Sequence, residues 1–170
     1  MDNDENKAER AYELASGYEQ SKEHCVQCTL AAIMEVMGVI DEDLFKAADG
    51  LTGGTALSTQ GTCGALAGGI LAISRLTGRS YEGFKTGISN HTWQYVFELQ
   101  KIFEEKYGGI TGELVQKKIF GRSYQIKDKQ DRKLFENAGA HVNKCPVVCG
   151  NVAKWSVEII NRIQLDKTDD

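Results

Sequence analysis

The chain has 170 residues, of which 41% are hydrophobic and 26% charged, and its formal net charge is -4 at pH 7. This is about one domain's length, enough to bury a core without help from disulfides. The acidic balance offers no general attraction for nucleic acid or an anionic membrane, so we expect neither as a partner.

The N-terminus and the apolar segments indicate whether the protein is exported or inserted into a membrane. The first residues are polar and acidic, whereas a secretory signal begins basic and continues apolar, so no export signal is expected. The longest apolar run, around ALAGGILAI, is too short and glycine-rich for a membrane span of about 20 residues. We therefore expect a cytoplasmic protein. With one proline and no repeat, residues 1–170 are predicted to form a single domain.

Hydrophobic spacing predicts the fold class. Apolar residues recur at helical intervals along most of the chain, and alternation typical of strands is rare. The pattern predicts an all-α bundle of about six to eight helices. In chain order they cover residues 3–19, 21–37, 42–49, 62–76, 89–107, 113–119 and 128–137, with a last helix from 145 onward.

Several predicted helix ends depend on capping residues. Ser21 is a suitable N-cap for the second helix, and Gly38 is a suitable stop. Pro146 occupies the first-turn position that proline favours in the last helix. The helix from Ser89 is predicted to bury one stripe, formed by Trp93, Val96, Phe97, Phe103 and Tyr107.

The five cysteines are the main candidate functional residues. Cys25 and Cys28 are separated by about 60° on one helix face, with Cys25 directed inward and Cys28 at the edge of the apolar sector. Cys145 and Cys149 are four residues apart and share an apolar face, and Cys63 lies on a third helix. Three helices therefore direct sulfur toward the interior, where the thiols can meet if the helices are neighbours.

The stretch GTCGALAGG surrounds Cys63 with small residues. Glycine inside a helix costs about 1 kcal/mol relative to alanine, which implies a compensating gain. We predict that Gly64, Ala65 and Gly68 let a second helix approach closely. Cys63 and Cys145 are both placed in the first turn of a helix, where the helix dipole favours thiolate over thiol.

Other chemical groups in the chain form weaker patterns. An odd number of cysteines in a reducing compartment favours metal binding or redox chemistry over a disulfide framework, although a free cysteine is often only a packed apolar residue. His24, His91 and His141 are too scattered for a ligand motif and are interpreted as surface or capping residues. CVQCT has threonine where covalent haem attachment needs histidine, so no such haem is expected. No nucleophile, base and orienting group stand together, which leaves enzymatic activity open.

At TCGALAGGILAISRLTGR the chain resembles the family of redox-active proteins named for its spaced cysteines and its CGAxxG motif. HCVQCTLAAIMEVMG resembles the segment with the family's first cysteine, at Cys25, and KCPVVCGNVAKWSVEII resembles the segment with its fourth, at Cys145. The third family cysteine precedes a Glu-Leu pair, and this chain has Gly112 there. The similarity covers about residues 21–160.

This resemblance implies a helical, cysteine-dependent redox protein, related in this domain to split-Soret cytochromes c but without their haem attachment sequences. An iron-sulfur cluster or an iron centre is the cofactor that it implies. Because Gly112 replaces a cysteine, Cys28 and Cys149, which are additional to the family pattern, are candidates to restore the number of ligands.

Three hypotheses remain at this stage. In the first, which we favour, thiolates hold an iron-sulfur cluster or another soft metal for electron transfer to a redox partner protein. In the second, Cys25 and Cys28 form the exchanging pair of a thiol-disulfide oxidoreductase. In the third, the cysteines are packed in a structural helical protein, which leaves room for a homodimer through an apolar face. The sequence does not specify substrate, partner or pathway.

Overall fold

The computed structural model describes residues 2–166, with side chains from 5 to 165. Within this part of the chain there are nine α-helices and no strand, which confirms the all-α prediction. They are α1 (Asp2–Lys22), α2 (Cys25–Met37), α3 (Glu42–Ala48), α4 (Gly64–Thr77), α5 (Tyr81–Lys85), α6 (Thr92–Tyr107), α7 (Gly112–Phe120), α8 (Lys129–Asn137) and α9 (Cys145–Asp166). A 3-10 turn (Asp49–Leu51) follows α3, and a π-helical turn (Ala140–Lys144) precedes α9.

The count exceeds the predicted range by one because of the short helix α5, whose N-cap is Ser80. The Ser80 hydroxyl accepts a hydrogen bond from the Gly83 N-H at 3.0 Å, as a capping serine does. No helix in the described residues has the length and apolar character needed to cross a membrane.

Five helices enclose the main core. α1 packs along α9, α2 packs against α1, α4 and α9, and α6 covers α4 and α9. Alanines at positions 8, 11 and 15 form the buried face of α1, where small side chains allow close contact with α9. A second, smaller apolar cluster contains Tyr124, Phe135 and Ala140 and packs against Cys145.

The junction between α1 and α2 differs from the prediction. Ser21 does not cap α2; its hydroxyl donates to the Gly17 carbonyl at 2.9 Å, so the serine bonds back into α1. The helical conformation is interrupted instead at Glu23 and His24, whose φ angles are 59° and 66°. As a result α2 begins at Cys25, which lies in the first turn of its helix.

The predicted buried stripe of α6 is only partly correct. Phe103 and Tyr107 are buried and Val96 is partly buried, but Trp93 and Phe97 are 65% and 59% exposed. The buried face is centred on Leu99, which is fully buried. Phe97 is two residues from Leu99, and so about 200° around the helix axis, which turns it to the outside.

The small residues of α4 allow its close contact with α2, as predicted. A Cβ at Gly68 would lie 2.6 Å from the Val26 carbonyl oxygen, and one at Gly64 would lie 2.3 Å from Cys25 Sγ. A side chain at Gly68 would require one helix to move, and a side chain at Gly64 would displace the Cys25 thiol. The two glycines therefore fix the separation between α2 and α4.

Alanine at two helical glycines should change stability in opposite directions. Gly68→Ala should lower the free energy of unfolding by about 1–3 kcal/mol, because overpacking outweighs the gain in helix propensity. Gly17→Ala in α1 is the matched control, since a Cβ there meets no atom within 4 Å. It should raise the free energy of unfolding by up to about 1 kcal/mol. Urea denaturation measures both, and a Gly68→Ala protein as stable as the parent would refute the close contact.

Candidate functional site

A cavity of about 220 Å³ opens where helix ends converge. The C-terminal end of α1 and the N-terminal ends of α2, α4, α7 and α9 surround it. Four of the five predicted cysteines line its wall: Cys25, Cys63, Cys145 and Cys149. Gly64 and Ala65 also line it, while Gly68 lies one turn further along α4 against α2.

The thiols are not linked to one another. All five cysteines are free. Among side chains 5–165, no three from histidine, cysteine, aspartate or glutamate already surround one point as a metal ion requires.

Cys25 faces the start of α4 from the first turn of α2. Its Sγ lies against Gly64, where any side chain would displace it. Burial raises the pKa of this thiol far above its usual value, and the nearby Glu19 and Cys63 raise it further. The N-H groups of Gly53 and Val26 act in the opposite direction on the pKa, but burial dominates.

Cys63 is the N-cap residue of α4, one position before the first-turn site that we predicted. Its own N-H donates to the Ile110 carbonyl at 2.7 Å, which ties it to the segment before α7. Burial raises its pKa to about 11, against the opposing effect of the Ala65 and Leu66 N-H groups. The expectation that the helix start makes Cys63 a thiolate is therefore wrong, because desolvation outweighs the helix terminus.

The expectation that Cys145 is a thiolate is also wrong. The π-helical turn continues directly into α9, and the Cys145 N-H donates to the Ala140 carbonyl, so the residue has no free helix start beside it. Burial, together with Glu19 and Cys25, raises its pKa well above the usual value. Pro146, the second residue of α9, keeps the first-turn place that we predicted.

The two additional cysteines occupy different places. Cys149 is fully buried on the cavity wall, with its Sγ 3.7 Å from the Cys25 carbonyl oxygen. Cys28 is 4% exposed and is not a wall residue. Its thiol donates to the Glu23 carbonyl at 2.8 Å. The prediction that Cys28 lies at the edge of the apolar sector is wrong, because α1 covers that side of α2. Burial raises the pKa of both thiols.

Glu19 and His141 belong to the same cavity and were missed in the sequence. Glu19 is 1% exposed, and its Oε1 accepts a hydrogen bond from His141 Nδ1 at 3.0 Å. Its Oε2 has no hydrogen-bond partner. The interpretation of His141 as a surface or capping residue is therefore wrong. One signal was available, since Glu19 follows Ala15 by four residues and continues the buried stripe of α1.

A loop with unusual backbone geometry closes another side of the cavity. Residues from Gly53 to Thr59 take positive φ angles at every position except Ser58. The loop is fastened to α7, because the Thr59 and Gly61 carbonyls accept hydrogen bonds from the Glu113 and Gly112 N-H groups at 2.8 and 3.1 Å. This backbone forms the part of the wall that faces Cys25.

Residues 23–159 match the family described as "Putative redox-active protein (C_GCAxxG_C_C)". The chain belongs to this family. The matched segment contains all five cysteines and corresponds to the region of resemblance, residues 21–160. No match was found among curated proteins or among solved structures. The family assignment establishes a redox-active class and leaves the cofactor and partner as proposals.

Two positions of the family pattern acquire a structural meaning here. Cys63, Gly64, Ala65 and Gly68 stand at the positions of the CGAxxG motif. The order suits this fold, because a side chain at position 64 would collide with Cys25 Sγ. Gly112, where the resemblance implies the third family cysteine, lies on the cavity wall.

The Glu19–His141 pair should make stability depend on pH. The hydrogen bond between His141 and Glu19 raises the pKa of His141 above the usual 6.5. The charged pair therefore stabilises the fold fully below about pH 6.5, and this contribution is lost as the pH rises through the folded-state pKa.

His141→Gln should lower the free energy of unfolding by roughly 3 kcal/mol near pH 6, because it leaves a buried charge unpaired. Near pH 9 the loss should fall to about 1 kcal/mol, the value of a neutral hydrogen bond. His24→Gln is the control, since its pairing with Asp49 is solvent-exposed. Urea denaturation at both pH values measures the effect, and an equal loss at the two would contradict it.

Proposed function

We propose that this protein holds an iron-sulfur cluster or another soft metal through cysteine thiolates and transfers electrons to a partner protein. The observation that supports it most is the convergence of four thiols from three helices on one cavity. Thiolates are the ligands that iron-sulfur clusters and soft metals prefer, and four are the usual complement.

The proposed ligands are Cys25, Cys63, Cys145 and Cys149. The first three stand at positions of the family pattern, and Cys149 takes the place of the cysteine that is missing at Gly112. A Cβ at Gly112 would lie 3.2 Å from the Thr59 backbone, a tight contact on the same wall. Cys149 reaches the cavity from α9.

The size and chemistry of the cavity suit such a group. Its volume of about 220 Å³ is several times the roughly 30 Å³ that one water molecule occupies, so a centre of several atoms fits. The raised pKa values keep the thiols neutral until a metal displaces their protons, which is the usual coupling between metal binding and deprotonation. Backbone N-H groups near Cys25 and Cys63 would donate to the sulfurs and tune the potential.

The structure supports thiol-disulfide exchange by Cys25 and Cys28 less well. A thiol that attacks a disulfide needs a substantial thiolate fraction near neutral pH. Burial raises the pKa of both thiols instead. Cys28 is also directed toward the Glu23 carbonyl and away from the cavity.

Protein purified without oxygen, or reconstituted with iron and sulfide, should contain iron and absorb visible light. Cys63→Ser and Cys145→Ser should each abolish or alter the absorption, because removal of one ligand leaves the coordination shell incomplete. Cys28→Ser is the matched control: a buried cysteine outside the cavity, whose loss should leave metal content unchanged. An iron-free, colourless parent after reconstitution would reject the cluster. Loss of redox activity in Cys25→Ser and Cys28→Ser alone would favour exchange.

The role of Cys149 can be tested by moving its thiol to the family position. Cys149→Ser should lose the centre, and the double variant Cys149→Ser, Gly112→Cys should recover at least part of it, since position 112 lies on the same wall. Iron content and the visible spectrum measure the recovery. A centre that is unchanged in Cys149→Ser would show that Cys149 is not a ligand.

A further inference from the structure

Positive charge is concentrated in one segment of this acidic chain. Residues 117–133, which run from α7 into the first turns of α8, contain seven lysines or arginines and two aspartates, so their local net charge is +5. The chain as a whole carries -4, which leaves -9 on the remaining residues. A surface whose charge is opposite to that of the rest of the molecule steers association with a partner of complementary charge.

Most cations of this segment are available to a partner. Both aspartates are engaged locally, because Asp128 caps α8 and Asp131 pairs with Arg122. Glu136 lies on the next turn of α8, so the positive charge is densest where that helix begins. Four exposed lysines form no ion pair with any residue that the structure describes: Lys118, Lys127, Lys129 and Lys133.

The basic segment lies next to the cysteine cavity. Phe135 of α8 lines the cavity and belongs to the small apolar cluster that packs against Cys145. Lys133 is two residues from Phe135, about 200° around the helix axis, and Lys129 is one turn before Lys133 on the same exposed face. Leu134, beside them, is 51% exposed. Helix α8 therefore has the cavity on one side and a basic surface on the other.

We propose that the outer face of α8, centred on Lys129, Lys133 and the exposed Leu134, is the docking surface for a small one-electron carrier protein with an acidic face. This inference rests on the proposed function and specifies its partner. One electron passes in each encounter: the reduced member of the pair, metal centre or carrier, loses it, the other gains it, and no atom is transferred. Because electron transfer slows with distance, a carrier should dock where a single helix separates the cavity from solvent.

The distribution of charge favours a protein over a nucleic acid or an anionic membrane. Exposed charges are screened beyond about 8 Å at physiological salt, so a compact acidic patch interacts mainly with the segment that carries +5. An extended polyanion would also meet the surrounding acidic surface. An exposed leucine among lysines is typical of a protein interface, in which a polar rim surrounds an apolar centre.

An acidic plant-type ferredoxin serves as the probe, and isothermal titration calorimetry measures its binding to the protein as purified. The parent should bind it, more weakly as the salt concentration rises. The double variant Lys129→Glu, Lys133→Glu should bind about tenfold more weakly, because two exposed attractions become repulsions. Lys101→Glu, Lys106→Glu is the matched control, since it changes the net charge equally on exposed positions of α6, and it should bind like the parent.

The neutral pair Lys129→Gln, Lys133→Gln should have an intermediate affinity. It also replaces the charge-reversed variant if circular dichroism shows that the latter does not fold. No binding by the parent, or parent-like binding by the α8 variants, overturns the docking surface. Tighter binding of the parent to duplex DNA or to phosphatidylserine vesicles than to ferredoxin overturns it as well.

Electron transfer separates the docking surface from the proposed function. After reconstitution with iron and sulfide, stopped-flow absorption measures electron exchange with reduced ferredoxin, which should be slower in the α8 variants than in the parent and in the α6 control. Exchange at the parent rate in the α8 variants overturns the docking surface while the metal centre stands. If the parent binds ferredoxin through α8 but forms no metal centre, the docking surface stands and the proposed function fails.

Discussion

The close contact between α4 and α2 is the constraint on which the candidate site depends. Gly64 lies directly against Cys25 Sγ, and Gly68 lies against the Val26 carbonyl. These glycines cost about 1 kcal/mol each in helix propensity. In return, α4 begins beside the first turn of α2, so that Cys63 and Cys25 face the same cavity. A larger residue at Gly68 would move the helices apart, and a larger residue at Gly64 would displace the Cys25 thiol.

Burial then determines the state of the groups gathered there. A helix terminus stabilises a thiolate through oriented N-H groups, yet Cys63 keeps its proton with a pKa of about 11 because desolvation is the larger effect. Neutral thiols avoid the repulsion that several negative charges would have beside Glu19. In the proposed function, a metal cation entering the cavity would reverse this balance, since it would stabilise the thiolates by displacing their protons.

The parts predictable from the sequence are those with a local cause. Helical spacing identified the all-α class, and the small residues around Cys63 indicated a close helix contact. The thiol pKa values were misjudged because burial arises from packing that local spacing does not contain. Glu19 and His141 were missed for a related reason: they are 122 residues apart in the chain and meet only after α1 packs beside the start of α9. Ser21 was wrongly predicted to cap α2, because a serine hydroxyl that can cap one helix can also donate a hydrogen bond to a carbonyl of the preceding helix.

The loop after the 3-10 turn has a strained backbone beside the cavity. Thr55, Ala56, Leu57 and Thr59 hold left-handed conformations, which cost roughly 1–2 kcal/mol for each non-glycine residue in a left-handed helical geometry. A loop that only joined two helices could relax to ordinary turns. This one is held by hydrogen bonds to the start of α7 and directs the Gly53 N-H toward Cys25. Backbone strain kept in place by its surroundings is typical of functional sites, and here it lies on the wall of the cysteine cavity. The strain therefore supports a functional cavity over a chance cluster of packed thiols.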